Sequence, residues 1–400
     1  MTLTRRSLFH LLPAAAAATP RAMWKTVPGH FPLENGLIYL NAANVCPASK
    51  EVLQVHASYL KDFQSDPSFQ NRDKYEKLTE DARAKIAALM GASPDEIAIT
   101  RNTSEATNTV VNGLDLSAGD EIVITAHNHP SNNDSWKVRA KRHGWKVIEL
   151  PVPVPATSRQ ALVEAFDAAV TPRTRVFAFT HVTNTTGIRY PAEEICALAR
   201  QKGIWVHVDG AQSFGALNVK LRTLGCDSYA GSAHKWFMGP LEAGILFVRE
   251  DRVRQLWPDT VTAGWSDTLK GARKFEVYGQ RDNPRIAALE PAAAFLERIG
   301  MADVEARVLA LSQHTMKELS KISGLKLKTS TEPGLHGGVV KFDLPGKDLK
   351  PIYDALYARH KIAAALTPSG DARGIRFSPH LYNTEAQLDR AVDALREIAG

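Results

Sequence analysis

A lysine with a serine and a histidine close by follows an apolar run in the second half of this chain. Lys235 lies in "SAHKWFMG", after Ser232 and next to His234, and the flanking runs "CDSYAG" and "AGILFV" are typical of buried strands. Burying a lysine costs free energy unless its amine is paired or used, and a buried neutral amine is a nucleophile. Taken alone, Lys235 also fits a lysine whose stem covers apolar surface while its ammonium reaches water.

Polar side chains follow other predicted strands in the same way. Asp209 and Gln212 lie in "VHVDGAQSFG", Thr103 and Ser104 in "ITRNTSEATN", His129 in "TAHNHPSNN" and Asn184 in "HVTNTTG". Each of these could serve only as a helix cap, but the N–H groups and hydroxyls of a helix start also form an anion site. Ligands of an open α/β sheet bind at the carboxyl ends of its strands, so we expect these side chains around one cleft.

Together these residues supply an amine, a carboxylate, an anion site and a flat ring. Pyridoxal phosphate (PLP) requires all of them: a lysine for a Schiff base with its aldehyde and a carboxylate for its pyridine nitrogen. Its phosphate requires a helix N-terminus, and its ring requires a flat partner. The combination therefore indicates a PLP site.

The elements that must position these residues alternate in type. Seven apolar, β-branched runs predict strands at residues 96–101, 120–127, 145–152, 175–182, 204–211, 227–234 and 243–249. Helix-period segments lie between most of them, at residues 104–114, 131–144, 161–170 and 191–203. This alternation predicts a mostly parallel α/β sheet covered on both faces. The last two strands are joined without a helix, so one of them is expected to be antiparallel.

After Leu289 the pattern becomes that of a smaller α+β domain. One long helix is expected over residues 290–322, followed by strands in "LKLKTS", "GGVVKFDL", "IAAALT" and "GIRFSP" and by helices at 347–360 and 384–400. Residues 35–91 contain two predicted helices and are expected to pack across both domains. The predicted division is an N-terminal segment at 23–60, a large PLP-binding domain at 61–288 and a small C-terminal domain at 289–400.

Composition excludes several classes of protein. The 400 residues are 44% hydrophobic and 23% charged, with a mild net charge of +6, as in an ordinary soluble protein. Basic residues are interleaved with acidic ones, which argues against a nucleic-acid partner, and no metal-ligand spacing occurs. Three widely spaced cysteines, Cys46, Cys196 and Cys226, exclude a disulfide framework.

The N-terminus has the layout of an export signal. "MTLTRRSLFHLLPAAAAATPRA" carries a twin arginine, a short apolar stretch and an alanine-rich run, and is too short and too interrupted by Pro13 to span a membrane. We expect residues 1–22 to be a twin-arginine signal and the enzyme to be periplasmic. The alternative is a disordered tail on a cytoplasmic protein.

The chain resembles the class V aminotransferase family of fold-type I PLP enzymes, in its cysteine desulfurase and isopenicillin-N-epimerase-like branch. The resemblance covers nearly everything after residue 22 and is carried by "YLNAANVCP", "VDGAQSFG", "SAHKWFMGP" and "IRFSPHLYNTEAQLD". It implies the fold-type I architecture, with a large seven-stranded, mostly parallel sheet domain and a smaller α+β domain. It also implies PLP as cofactor and a homodimer with active sites at the interface.

The resemblance implies a role for each candidate residue. Lys235 matches the Schiff-base lysine, Asp209 the partner of the pyridinium nitrogen, and His129 the ring-stacking residue; these three form the catalytic group. The other matches to the cofactor are Thr103, Ser104, Ser232 and His234 at the phosphate, Gln212 at the ring oxygen, Asn184 near the ring, and Gln280 at the neighbouring subunit's phosphate. Arg376 matches the arginine that binds the substrate α-carboxylate, and Asn184 and Asn44 match substrate-facing positions.

Two departures from the family bear on the reaction. The stretch "ALTPSGDARGIRF" has no cysteine where desulfurases carry their nucleophile, and Gln280 replaces a threonine. Cys196 and Cys226 are expected to be buried and inert, and Cys46 to be an exposed thiol near the mouth of the site. We therefore expect a PLP enzyme acting on an amino acid or aminoacyl substrate, aminotransferase-like or epimerase-like. The alternatives are a C–S or C–Se lyase and a non-catalytic PLP-binding accessory protein.

Overall fold

The computed structural model describes residues 23–400, and the predicted export signal at residues 1–22 lies outside this range. The first part of the described chain contains β1 (Ile38–Tyr39), α1 (Lys50–Ser65), α2 (Phe69–Arg72), α3 (Lys74–Met90), β2 (Ile97–Thr100), α4 (Thr103–Gly113), β3 (Glu121–Thr125), α5 (Pro130–His143), β4 (Lys146–Leu150), α6 (Arg159–Ala168), β5 (Thr174–Thr180), α7 (Ala192–Gln201), β6 (Trp205–Asp209), α8 (Leu221–Leu224), β7 (Ser228–Ser232) and β8 (Gly244–Val248). The remainder contains α9 (Asn283–Ala287), α10 (Leu289–Ile299), α11 (Met301–Leu319), β9 (Lys326–Leu327), β10 (Val340–Asp343), α12 (Leu349–His360), β11 (Ile362–Ala363), β12 (Ala365–Thr367), β13 (Gly374–Phe377) and α13 (Glu385–Ala399).

All seven predicted strands of the large sheet form. Their order is β2-β8-β7-β6-β5-β3-β4. Strand β8 is antiparallel to both of its neighbours, and the other pairings are parallel, so the sheet is mostly parallel as predicted. The carboxyl ends of every strand except β8 therefore lie at one edge of the sheet, and the predicted site residues follow strands at that edge.

The strands read as continuous apolar runs because both faces of the sheet are covered. In β5, Val176 and Ala178 pack in one hydrophobic cluster, and Phe177 and Phe179 pack in the other. Successive side chains along a strand point to opposite faces of the sheet. When both faces are buried, every position therefore favours an apolar residue and the usual alternation of apolar and polar residues is absent.

The C-terminal region forms a second sheet of order β12-β13-β10-β9, in which the pairings are antiparallel. The single long helix predicted over residues 290–322 is wrong. It breaks at Gly300, whose φ of 90° and ψ of 127° separate α10 from α11. A side chain with a Cβ does not readily adopt that conformation, whereas glycine does.

Two smaller differences concern the segments next to this sheet. The predicted strand "IAAALT" divides into β11 and β12, and β11 pairs with β1 of the N-terminal segment. The two helices predicted within residues 35–91 are α1 and α3, with the single turn α2 between them. The predicted domain boundaries stay predictions.

The N-terminal segment touches both parts of the molecule. Ile38 and Leu40 pack in the hydrophobic cluster of the C-terminal sheet, and Cys46 and Val52 pack in that of the large sheet. Among residues 23–400, no helix combines the length and apolarity that a membrane crossing needs.

Candidate active site

Most of the predicted site residues surround one cleft at the carboxyl edge of the large sheet. The cleft has a volume of about 240 Å³. Its lining includes Asn44, Thr103, Ser104, His129, Asn184, Asp209, Gln212, Ser232, His234 and Lys235. Arg376 lies behind this lining, in contact with Asn184, and Gln280 lies elsewhere on the surface.

Lys235 reaches the cleft from the turn that follows β7. Ala233 pairs with Ala243 across this turn, and the Met238 N–H donates to the Lys235 carbonyl at 2.9 Å. No residue of the described range forms a hydrogen bond or ion pair with the Lys235 amine. Burial lowers the pKa of Lys235; Asp209 opposes this shift, and Arg376 adds to it. The amine is therefore biased toward its neutral, nucleophilic form.

Asp209 ends β6 in the middle of the sheet, between Thr180 of β5 and Ala230 of β7. Its side chain is buried, and its carboxylate accepts only neutral donors. Oδ1 accepts the Ala211 N–H at 3.0 Å, and Oδ2 accepts Asn132 Nδ2 at 3.4 Å. A buried carboxylate without a cationic partner is costly, so this position favours a cation in the cleft.

His129 is the N-cap of α5. The Ser131 N–H donates to its Nδ1 at 3.2 Å, which places the ring proton on Nε2 in the neutral tautomer. Burial and the nearby Lys235 lower the pKa of His129, and Asp209 opposes them. The ring is consequently neutral near pH 7 and presents a flat face without a charge.

The residues predicted to form an anion site lie together where α4 begins. Ser232 Oγ accepts the Thr103 N–H at 2.9 Å and lies 2.7 Å from Thr103 Oγ1, so β7 and α4 are joined there. The Ser104 hydroxyl donates to Ser131 Oγ at 3.0 Å. The Thr103 N–H and the Ser104 hydroxyl are thus already bonded, and the Ser104 N–H and one hydroxyl hydrogen of the Thr103–Ser232 pair are left for an anion.

His234 adds a further polar atom to this side of the cleft. Its Nδ1 is buried and has no partner in the described structure. Burial and the nearby Lys235 lower the pKa of His234 to about 4, so the imidazole is neutral at pH 7. A buried nitrogen without a partner is what a bound polar ligand would satisfy.

Arg376 is a buried cation without a carboxylate partner. The residue is 8% exposed, and its guanidinium donates to the Asn184 carbonyl and to Asn41 Oδ1, both at 2.7 Å. Its Nε is buried and unbonded, as is Asn184 Oδ1. Burial lowers the pKa of Arg376 to about 10, which still leaves it charged at neutral pH.

Cys46 is not the exposed thiol that the sequence led us to expect. It is 4% exposed, and its Sγ lies 3.8 Å from the Ala42 carbonyl and 3.8 Å from the Tyr382 hydroxyl. Burial raises the pKa of this thiol far above its usual range. The apolar packing of residues 42–52 against the large sheet, which motif matching does not reveal, accounts for the difference. Cys196 and Cys226 are buried, as predicted.

Gln280 lies on the surface of the same chain rather than in the cleft. It is exposed, and its Oε1 accepts a hydrogen bond from Arg72 at 3.2 Å. Its amide N–H groups stay free of described partners. Its predicted contact with a neighbouring subunit's phosphate stays a prediction.

Several residues of the site were missed by sequence reasoning. Asn132 contacts Asp209, Ser131 contacts Ser104 and His129, Asn41 contacts Arg376, and Trp236 donates to Gln212 at 2.7 Å. Ser131 and Asn132 lie in the polar run "HPSNN" at a helix start, which could have pointed to them. Asn41 and Trp236 lie in the motifs "YLNAANVCP" and "SAHKWFMGP", but a motif does not reveal contacts that join separate segments of the chain.

The residues present fit PLP. The cleft combines an unpaired amine, a buried carboxylate without a cation, a neutral imidazole face and a helix start with free polar hydrogens. Each of these is unsatisfied or neutral in the way that the aldehyde, pyridine nitrogen, ring and phosphate of PLP require. In contrast, no group of three or more His, Cys, Asp or Glu side chains that could hold a metal ion occurs between residues 23 and 400.

Comparison with known proteins agrees with this assignment. The isopenicillin N epimerase of Streptomyces clavuligerus is 30% identical over 394 residues, covering 95% of this chain and 99% of the epimerase. A cysteine desulfurase of Enterobacter sp. strain 638 is 30% identical over 341 residues, covering 80% of this chain and 82% of the desulfurase. A solved structure of a C-DES mutant with glycine covalently linked to its PLP cofactor superposes with a TM-score of 0.85. It is 24% identical and covers 92% of this chain and 98% of its own.

The fold and the cleft define a fold-type I PLP-dependent enzyme. The family model described as aminotransferase class V matches residues 38–391, and this chain belongs to that family.

Proposed function

We propose that this enzyme acts at the Cα of an amino acid or aminoacyl substrate whose α-carboxylate binds Arg376. The observation that carries the proposal is the buried guanidinium of Arg376, which has no carboxylate partner among the described residues. Its charge also helps to lower the pKa values of Lys235 and His129. A substrate carboxylate would supply the missing charge through two parallel hydrogen bonds.

The roles of the residues follow from their positions. Bound PLP supplies an electron sink that stabilises negative charge at the substrate Cα. Asp209 would hold the pyridine nitrogen in its protonated state, and His129 would lie against the ring. Lys235 would hold the cofactor and then take and return the Cα proton at Nζ, for which its lowered pKa suits it. Ser104, Ser232 and His234 would bind the phosphate.

The final destination of the proton decides the reaction. Protonation of Cα on its opposite face would give the enantiomer, and loss of the proton from Cα without its return there would give transamination. Similarity to isopenicillin N epimerases over nearly the whole chain favours the first outcome. A C–S or C–Se lyase is the second candidate, because cysteine desulfurases are also about as similar in sequence. Sulfur transfer to the enzyme is disfavoured by the buried, protonated thiol of Cys46.

We also propose a homodimer and export to the periplasm. Phe69 is 75% exposed, and Arg72 lies over its ring at 4.7 Å while bonding Gln280, so an apolar side chain and Gln280 share one surface. Light scattering tests the dimer, and a monomer that binds PLP would be the contrary result.

Export is tested by fractionation of cells that express the full chain. The control is the variant in which Arg5 and Arg6 are both changed to Lys.

A substrate panel tests the reaction. The holoenzyme is mixed with L- and D-amino acids and with short peptides bearing an N-terminal amino acid, and the visible absorbance of the cofactor is followed. Chiral chromatography then identifies an enantiomer, keto-acid analysis a transamination, and sulfide or selenide release a lyase. A change of the visible band with at least one α-carboxylate substrate is expected. A band that no member of the panel changes would contradict the proposal.

A further inference from the structure

The orientation of the Gln212 side-chain amide is fixed by two partners that each act in one direction only. Trp236 Nε1–H can only donate, and it lies 2.7 Å from Gln212 Oε1. The Ala43 carbonyl can only accept, and it lies 3.0 Å from Gln212 Nε2. Both partners demand the same orientation, with the oxygen toward Trp236 and the NH₂ group toward Ala43.

This orientation determines what Gln212 can offer to a molecule in the cleft. Gln212 lines the cleft and is otherwise buried, at 3% exposure. One amide hydrogen is used by Ala43, and the oxygen already accepts from Trp236. The remaining N–H has no partner among the described residues, so it gives Gln212 a free donor for an acceptor atom of a ligand.

Trp236 is itself held in place from the C-terminal region. It is fully buried, and its carbonyl accepts a hydrogen bond from His380 Nε2 at 2.9 Å. The rings of Trp236 and His380 meet edge to face at 5.0 Å. A Cβ added at Gly338 would lie 2.5 Å from the Trp236 ring, so the backbone packs directly against the indole. The indole therefore has little freedom to turn away from Gln212.

We propose that Trp236 is a positioning residue that presents Gln212 as a donor to the ring oxygen of PLP. The proposal rests on the cofactor contact assigned to Gln212 above. Without Trp236, the Gln212 oxygen loses its partner, and the Ala43 carbonyl alone is left to hold the amide in this orientation, so the donor is held less firmly. A donor at the ring oxygen stabilises negative charge there, and this charge is greatest after the bound cofactor has lost its proton. Loss of the donor should therefore raise the apparent pKa of the visible band.

The test is a spectroscopic pH titration of four holoenzymes: the wild type, Trp236→Phe, Gln212→Ala and the double variant. Loss of one hydrogen bond to a charged group corresponds to a rise in the apparent pKa of the visible band by about one unit. We expect this rise in Gln212→Ala and a smaller rise in Trp236→Phe, in which the Ala43 carbonyl still holds the amide. The double variant should rise no further than Gln212→Ala, because Trp236 acts through Gln212. Trp136→Phe is the matched control: Trp136 is equally buried, but its indole N–H has no partner, so its band should titrate as in the wild type.

The outcomes separate the role of Trp236 from the cofactor contact of Gln212. A wild-type titration in Trp236→Phe, together with a shift in Gln212→Ala, overturns the role of Trp236. Additive shifts in the double variant overturn it as well. An unshifted band in Gln212→Ala overturns the underlying cofactor contact of Gln212. Where Trp236→Phe fails to fold, Gln212→Glu tests the donor assignment: it keeps an acceptor for Trp236 but replaces the NH₂ group with a carboxylate oxygen, so the apparent pKa of its band should rise at least as much as that of Gln212→Ala. A wild-type band in Gln212→Glu overturns the donor assignment.

Discussion

Arg376 and Asp209 are buried charges of opposite sign, and neither forms an ion pair within residues 23–400. A protein that buried them for stability alone would pair each with an opposite charge, because an unpaired buried charge costs several kcal/mol. Each charge has only neutral hydrogen-bond partners, which orient it without neutralising it. Arg376 contacts the Asn184 carbonyl and Asn41. Asp209 contacts Asn132 and the Ala211 N–H. We therefore expect bound molecules to supply the missing charges.

The unpaired charge of Arg376 predicts that even a conservative substitution there lowers kcat/KM. Arg376→Lys should lower kcat/KM by about 10- to 150-fold, or about 1.5–3 kcal/mol, because an ammonium cannot reproduce the planar fork. Steady-state kinetics on the substrate identified by the panel gives the value. Arg373→Lys, in the same hairpin but paired with Asp343, is the control and should stay close to the wild type. Equal kinetics for Arg376→Lys and the wild type would place the carboxylate elsewhere.

The thiol of Cys46 gives a second residue-level prediction. Cys46→Ser should keep most of the activity, because the thiol is buried and protonated and takes no part in the proposed chemistry. Mass spectrometry of the wild type after incubation with cysteine should find no persulfide on this residue. A persulfide on Cys46 that is absent from Cys46→Ser would support sulfur transfer instead.

At the scale of elements, Gly300 shows where helix periodicity misleads. The apolar positions of α10 and α11 continue in one helical pattern, yet the chain turns at a conformation open mainly to glycine. Gly300→Ala should lower the free energy of unfolding by about 1–3 kcal/mol. A Cβ there would meet only Asp303 Oδ2, at 3.9 Å, so the cost is conformational rather than steric.

Urea denaturation measures this loss. Gly29→Ala is the control, since Gly29 has no positive φ and its Cβ would meet nothing within 4 Å. If Gly300→Ala is as stable as Gly29→Ala, the two helices can join and the break is not imposed by the backbone.

The sequence predicts the strands and the place of the cleft, but it does not predict the side-chain contacts that complete the site. The seven strands could be predicted because burial on both faces leaves runs such as "VFAFT" without polar interruption. The cleft could be predicted because parallel strands bring their carboxyl ends to one edge, where Asp209 and Lys235 follow β6 and β7. The bond from Trp236 to Gln212 and that from Asn41 to Arg376 could not be predicted. They depend on how separate segments pack, and the bonded residues lie 24 and 335 positions apart.

At the scale of the whole molecule, buried neutral histidines link stability to pH. Burial lowers the pKa of His181 to about 3 and the pKa values of His207 and His380 to about 4, whereas an unfolded histidine titrates near 6.5. Between pH 6.5 and 4 the unfolded chain therefore binds more protons than the folded one. The free energy of unfolding should fall as the pH is lowered through this window and be unaffected by these residues above it.

Each such histidine contributes a slope of up to about 1.4 kcal/mol per pH unit within the window. Urea denaturation at several pH values between 4.5 and 7.5 measures the total slope. His207→Gln should reduce it by roughly one histidine's share, because His207 bonds only neutral hydroxyls, those of Thr107 and Ser228, that glutamine can also reach. A stability that does not change between pH 6.5 and 4.5 would contradict this account.

The central claim, that Lys235 moves the Cα proton of an amino acid substrate, is tested most directly by hydrogen exchange. The wild type and Lys235→Ala, each with excess PLP, are incubated in D₂O with the amino acid panel, and deuterium at Cα is measured by NMR. The wild type should place deuterium at the Cα of at least one amino acid, and Lys235→Ala should do so at least about 100-fold more slowly. Exchange at equal rates in both proteins, or exchange with no member of the panel, would contradict the claim.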